Sequence, residues 1–77
     1  MNDSAALKIL GQRIRDRRKE KQWTQETLAD RAGIDRSYIG GIERGERNIT
    51  FSVLCLVCSA LGNDVADLTK DLPGPVA

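Results

Sequence analysis

TQETLADRAGIDRSYIGGIER, running from Thr24 to Arg44, is the stretch from which the rest of this chain can be read. Leu28, Ala29 and Ala32 fall at i, i+1 and i+4, a single apolar stripe at helical period. Thr24 precedes the stripe as an N-cap, because its hydroxyl can accept a backbone N–H that has no partner inside the helix. Gly33 follows where a chain leaving a helix most often needs a positive φ. Ile34 restarts the apolar pattern, and Asp35 is placed to cap a second helix that turns Ile39 and Ile42 inward. Arg36, Ser37, Tyr38, Gly41 and Arg44 are then its outward positions. The stretch predicts two short helices around a tight corner, the second with a polar and cationic outer face.

Upstream, Asp3 or Ser4 can cap a first helix reaching to about Lys21, with Leu7, Leu10 and Ile14 as its inward stripe and Arg18 continuing that line. Arg13, Arg15, Arg17, Lys19 and Lys21 occupy the rest of its second half. Trp23, just before the Thr24 cap, sits where an apolar side chain covers the junction between two helices. Downstream, GERNI at 45–49 reads as a loop, and Thr50 caps a fourth helix to Leu61 that Gly62 and Asn63 end. Asp64 caps a fifth, from Val65 to about Leu72, and Pro73-Gly74-Pro75 forbids its continuation. Five helices without strand signal or internal repeat predict a compact all-α fold. It is expected to be one domain over 1–77, with its core in 5–72 and a short tail at 73–77.

At 77 residues and 40% hydrophobic content the chain can bury one modest core. Met1 to Ala6 is short and polar, unlike a signal peptide, and no apolar run approaches the ~20 residues of a membrane span. A soluble, cytoplasmic protein without membrane contact is expected. A net charge of +1 does not by itself argue for nucleic acid. The distribution says more: residues 1–63 carry 11 basic and 8 acidic side chains, whereas 64–77 carry one Lys and three Asp. Basic charge is displaced from the C-terminal end, as expected if another face meets phosphate.

The fourth helix is apolar over most of its circumference. Leu54, Val57, Cys58 and Leu61 make an ordinary core stripe, but Phe51, Val53, Cys55 and Leu56 are apolar as well. Either the first and fifth helices wrap it, or part of it meets another chain. Surplus apolar surface favours a homodimer contact, with Val53, Leu56, Val65 and Leu68 as its candidates. Cys55 and Cys58 form one C-x-x-C without a second Cys pair or any His, so they read as small core residues rather than metal ligands. The chain has no Ser/His/Asp set and no Gly-rich phosphate cradle, and its carboxylates are scattered. Neither an enzyme nor a cofactor is expected.

That leaves the outer face of the third helix, and a helix–corner–helix presenting such a face is the layout of a helix-turn-helix DNA reader. Arg36 and Ser37 occupy the first turn, the part that enters the major groove. Arg36 can offer two donors to guanine O6 and N7, worth ~1–3 kcal/mol of discrimination. Tyr38 can touch sugar, a thymine methyl or phosphate, or simply pack at the helix edge. Gly40 and Gly41 each cost ~1 kcal/mol in a helix relative to Ala, which points to close approach of the backbone to DNA, a partner or another helix. Gln25 at the start of the second helix, with Arg44, Arg47 and Asn48 past the third, can hold the DNA backbone.

TQETLADRAGIDRSYIGGIERGERN, with L-G-x-R-I-R before it and A-L-G plus a capped fifth helix after it, resembles the Cro and lambda-repressor-like helix-turn-helix family, also called XRE. Within that family, DRSYIGGIERGERN is most similar to the controller proteins of restriction–modification systems. The resemblance spans Leu10 to about Leu68 and implies a five-helix fold and cytoplasmic gene regulation. It implies double-stranded DNA and a second copy of the chain as partners, with contact to RNA polymerase left open.

Controller proteins are small homodimers that bind pseudo-palindromic sites upstream of their own and the endonuclease gene. Carried over, base contacts fall on Arg36, Ser37 and the position of Gly41. Backbone contacts fall on Gln25, Tyr38, Arg44, Arg47 and Asn48. The family's pairing of a late first-helix Arg with the Glu of I-E-x-G falls on Arg18 and Glu43. Three positions depart from the family pattern: Gly41 has no side chain with which to read a base, Arg17 replaces an apolar residue, and Gln22 replaces a Gly. Rival readings are an autoregulating phage or antitoxin repressor, and a protein-interaction module on the same scaffold.

Overall fold

The five residues buried most completely come one from each of five helices: Ile14, Leu28, Ile39, Val57 and Leu68. The computed structural model describes residues 4–74. It contains α1 (Ser4–Glu20), α2 (Gln25–Ala32), α3 (Arg36–Glu43), α4 (Phe51–Leu61) and α5 (Val65–Thr69), and no strand among the described residues. Asp3 as a helix cap, and Pro75 with the last two tail residues, lie outside them.

Each short helix is stopped and started by the residues that the sequence singled out. The Thr24 hydroxyl accepts the Thr27 N–H at 3.1 Å, Asp35 accepts the Ser37 N–H at 3.0 Å, and Thr50 accepts the Val53 N–H at 3.2 Å. Gly33 and Gly62 end α2 and α4 in the left-handed conformation, at φ 71° and 74°. Helices of eight residues are too short to persist alone, so packing carries α2 and α3. Burial of each fully enclosed aliphatic side chain contributes about 1.5–3 kcal/mol relative to leaving it exposed.

Gly11 sets how closely α1 lies on α3. A β-carbon there would fall onto the carbonyl oxygens of Ile42 and Glu43. The backbones meet at that point, and Arg18 further along α1 is thereby brought to the end of α3.

Between α1 and α2 the chain turns at Gln22, which takes φ 61°. A left-handed non-glycine residue costs about 1–2 kcal/mol. The turn is held by the Gln22 N–H on the Lys19 carbonyl at 2.9 Å and the Trp23 N–H on that of Arg18 at 3.2 Å. Trp23 is half-buried against the core, with Arg31 at 4.6 Å and Lys21 at 5.3 Å from its ring centre. Arg17 stays half-exposed, 3.5 Å from Glu20. Its Nε is buried and has no hydrogen-bond partner among the described residues.

Two expectations, and one of the two alternatives for α4, are corrected. The fifth helix ends at Thr69 rather than near Leu72. Lys70 leaves helical geometry and Asp71 turns at φ 63°, while Arg13 Nη1 holds the carbonyls of Leu68 at 3.0 Å and Lys70 at 2.7 Å. Leu72 also precedes a proline, which disfavours helical geometry there. The fourth helix packs chiefly on α2 and α5 rather than on α1 and α5. Leu68 is 0% exposed and belongs wholly to the domain's own core.

Candidate nucleic-acid interface

The presented face is built at the two ends of α3 by different means. At its start, Arg36 and Ser37 are exposed. Asp35 accepts both the Ser37 N–H and the Ser37 hydroxyl on Oδ2. Those bonds, the hydroxyl's first, hold the Asp35 carboxyl below the usual carboxylate range. The hydroxyl proton of Ser37 is thus committed to the cap, and the side chain offers outward only its lone pairs. It is an acceptor, suited to an amino group on a base edge. Arg36 has no hydrogen bond or ion pair with a described residue, so its donors are free.

At the other end, Glu43 is turned inward. Arg18 donates Nε to Glu43 Oε2 at 2.7 Å and Nη2 to Oε1 at 2.9 Å, a two-pronged pair. Arg18 Nη1 also donates to the Trp23 carbonyl at 2.7 Å, and Gln25 Nε2 to Glu43 Oε1 at 3.1 Å. Arg18 and Glu43 are both buried. The hydrogen bond to Glu43 raises the Arg18 pKa further, against the opposing effect of burial. This network ties α1, the α1–α2 corner, the first residue of α2 and the last of α3 into one body. Gln25, expected on phosphate, therefore has one of its two N–H groups engaged. A cleft of about 480 Å³ lined by Arg18, Thr24, Gln25, Glu26 and Arg36 opens between the starts of α2 and α3.

Arg44 and Asn48 are exposed, and Arg44 Nε is engaged by Glu46 at 2.9 Å. Tyr38 is half-buried, its ring partly packed on the core. Gly41, expected outward, is buried: the Arg47 side chain lies over it, and a β-carbon would sit 2.7 Å from Arg47 Cγ. Over Gly40 lie Arg44 Nη1 and Gln25 Oε1, 3.1 Å and 3.5 Å from where a Gly40 β-carbon would sit. Gly41 is thus covered by the Arg47 side chain from the loop after α3, and Gly40 by Arg44 together with Gln25 of α2. Sequence reasoning missed Glu46, Arg13 and the Arg47–Gly41 packing. Only the paired glycines hinted at the last.

On α4 and α5, Leu56 is 48% and Phe51 71% exposed, and Val53 and Val65 are half-buried. Val53, Leu56 and Ala60 share one flank of α4, the side on which surplus apolar surface was expected. Cys58 is buried and Cys55 half-buried, both free thiols, and burial first of all pushes the Cys58 thiol up. Among the described residues no group of three or more His, Cys, Asp or Glu could hold a metal ion, and no helix is long and apolar enough to cross a membrane.

The five-helix order and the geometry of α2 and α3 define a helix-turn-helix regulator fold. The Helix-turn-helix family model matches residues 14–68, and the chain belongs to that family, in its XRE-like branch. It is 42% identical over 60 residues to the control protein C.SmaI of Serratia marcescens, covering 78% of this chain and 71% of that one. Among solved structures it resembles the restriction–modification controller protein C.AhdI of Aeromonas hydrophila. The TM-score is 0.79 at 44% identity, over 80% of this chain and 94% of that one. The controller protein C.Esp1396I, solved as a tetramer on its natural 35-base-pair operator, matches with a TM-score of 0.77 at 37% identity over 84% of this chain and 86% of that one.

Proposed function

We propose that this chain is a sequence-specific, homodimeric DNA-binding regulator of transcription, of the restriction–modification controller kind. The observation that carries the reading is the start of α3, where Arg36 and Ser37 stand exposed on a helix whose other end is locked into the core. Similarity to controller proteins, one of them solved on its operator, supports the same reading. Arg36 and Ser37 read base edges, the first by donating to guanine and the second by accepting. Gln25, Tyr38, Arg44, Arg47 and Asn48 meet the sugar–phosphate backbone, and Gly40 and Gly41 leave the room in which the Arg44 and Arg47 side chains cross that face. Val53, Leu56 and Val65 supply the contact between copies, with Leu68 holding α5 beneath it. Two such helices then enter successive major grooves about 34 Å apart on an inverted repeat. Activation of a neighbouring promoter would bring RNA polymerase against the bound domain. The site for action is the cytoplasm.

The test is selection of bound duplexes from random DNA, followed by binding at two salt concentrations. Wild-type protein is expected to enrich an inverted repeat, and Arg36→Ala to lose ~1–3 kcal/mol of discrimination at one base pair per half-site while retaining nonspecific binding. Absence of any salt-dependent DNA binding would instead favour the protein-interaction module.

A further inference from the structure

Arg47 lies beyond the end of α3, yet its side chain returns to α3's face. Gly45 turns at φ 73° and the Glu46 N–H donates to the Gly41 carbonyl at 2.9 Å, folding the loop back on the helix. The Arg47 stem then crosses Gly41: the place of a Gly41 β-carbon is 2.7 Å from Cγ, 3.1 Å from Nε and 3.4 Å from Cδ. Its guanidinium carbon stands 5.4 Å from the centre of the Tyr38 ring. Arg44, by contrast, is engaged by Glu46, whereas Arg47 has no hydrogen bond or carboxylate partner among the described residues.

We propose that Arg47 is a specificity-determining residue which supplies the base-reading group missing at Gly41, with Gly41 and Tyr38 as the residues that position it. The inference rests on α3 being the DNA-reading helix and goes beyond it by moving Arg47 from phosphate to base edge. Gly41 is one helical turn past Ser37 on the same face, so the guanidinium is delivered next to the exposed first turn. A side chain at 41 would occupy that space. Because 41 is glycine, the Arg47 stem fills it instead, and Tyr38 offers its ring as a platform for a planar cation. A guanidinium held flat with its donors free can pair with two acceptors on one guanine, which an ammonium cannot match.

The experiment compares duplexes selected by the wild type, Arg47→Ala, Arg47→Lys, Gly41→Ala and the Gly41→Ala/Arg47→Ala double variant, each checked for folding by circular dichroism. Arg47→Ala and Arg47→Lys are expected to relax preference roughly 5- to 100-fold at one position per half-site, leaving the position read by Arg36 unchanged. Gly41→Ala, which displaces the Arg47 stem, is expected to do the same, and to add nothing in the double variant. Uniform weakening by Arg47→Ala with the ranking of duplexes intact would overturn the proposal, as would full retention of preference by Arg47→Lys. An additional loss in the double variant would overturn the role of Gly41. Should Gly41→Ala fail to fold, the two Arg47 variants decide. A wild type that prefers no duplex would remove the DNA-reading function itself, and this inference with it.

Discussion

Glu43 and Arg44 are neighbours in the chain and form ion pairs in opposite directions. Glu43 points inward to Arg18, with side-chain exposures of 2% and 9%; Arg44 points outward to Glu46, at 59% and 62%. The separations, 2.7 and 2.9 Å, barely differ, so geometry alone does not rank the pairs. Solvent does. A buried charge that loses its partner has no water to turn to, whereas an exposed one exchanges its partner for water or phosphate at little cost. The inner pair is part of the frame that aims α3. The outer pair is exposed, its Arg44 guanidinium neutralised by Glu46 of the same loop.

The comparison breaks most visibly at Arg18. Arg18→Ala is expected to cost about 3–5 kcal/mol, because it strands Glu43 and frees the carbonyl of Trp23. Native domains of this size hold roughly 4–11 kcal/mol in all, so the variant should show a much reduced urea midpoint or no cooperative transition. A variant as stable as wild type would mean that the frame is held by the apolar core alone. Gln22→Gly acts on the corner that brings the Trp23 carbonyl to Arg18. Relief of the left-handed backbone is offset partly by the freer unfolded chain, leaving a gain of about 0.5–1 kcal/mol, read as a higher melting temperature.

Glu46→Gln addresses the outer pair. Stability should stay within about 0.5 kcal/mol of wild type, while DNA affinity rises several-fold at low salt and converges with wild type at high salt. Equal affinities at low salt would show that Glu46 does not compete with phosphate. The smallest effect concerns pH. Hydrogen bonds to Ser37 lower the Asp35 pKa, so its contribution to stability is present above the unfolded-state pKa and is lost as pH falls through the lower folded value. Asp35→Asn keeps a capping side chain without a titrating one. It should flatten the acid limb of the stability curve below about pH 4 and leave neutral pH unchanged.

Much of this could be read one residue at a time. Thr24, Asp35 and Thr50 cap helices because a hydroxyl or carboxylate before an apolar stripe has few other uses, and Gly33 and Gly62 end helices because φ turns positive there. The Arg18–Glu43 pair was legible only through the family resemblance, since 25 residues separate the partners. The error at Leu68 had a physical source: period places a residue on an apolar stripe but does not say whether the neighbour on that stripe is the same chain or another. The length of α5 is not legible locally, because Pro73 marks where a helix cannot continue, not where the Arg13 guanidinium gathers its last carbonyls.

Local sequence by itself determined the order of the five helices, their caps and the exposed first turn of α3 at Arg36 and Ser37, because those depend on backbone groups and neighbours within about one turn, whereas packing buried Gly41. The tertiary structure alone decided that Glu43 is shared by Arg18 and Gln25, that Arg44 is held by Glu46, and that Arg47 lies across Gly41 on Tyr38. A long charged side chain can reach many partners from one backbone position. Which of them it takes is settled only when the packing of α1, α2 and α3 fixes the distances between them.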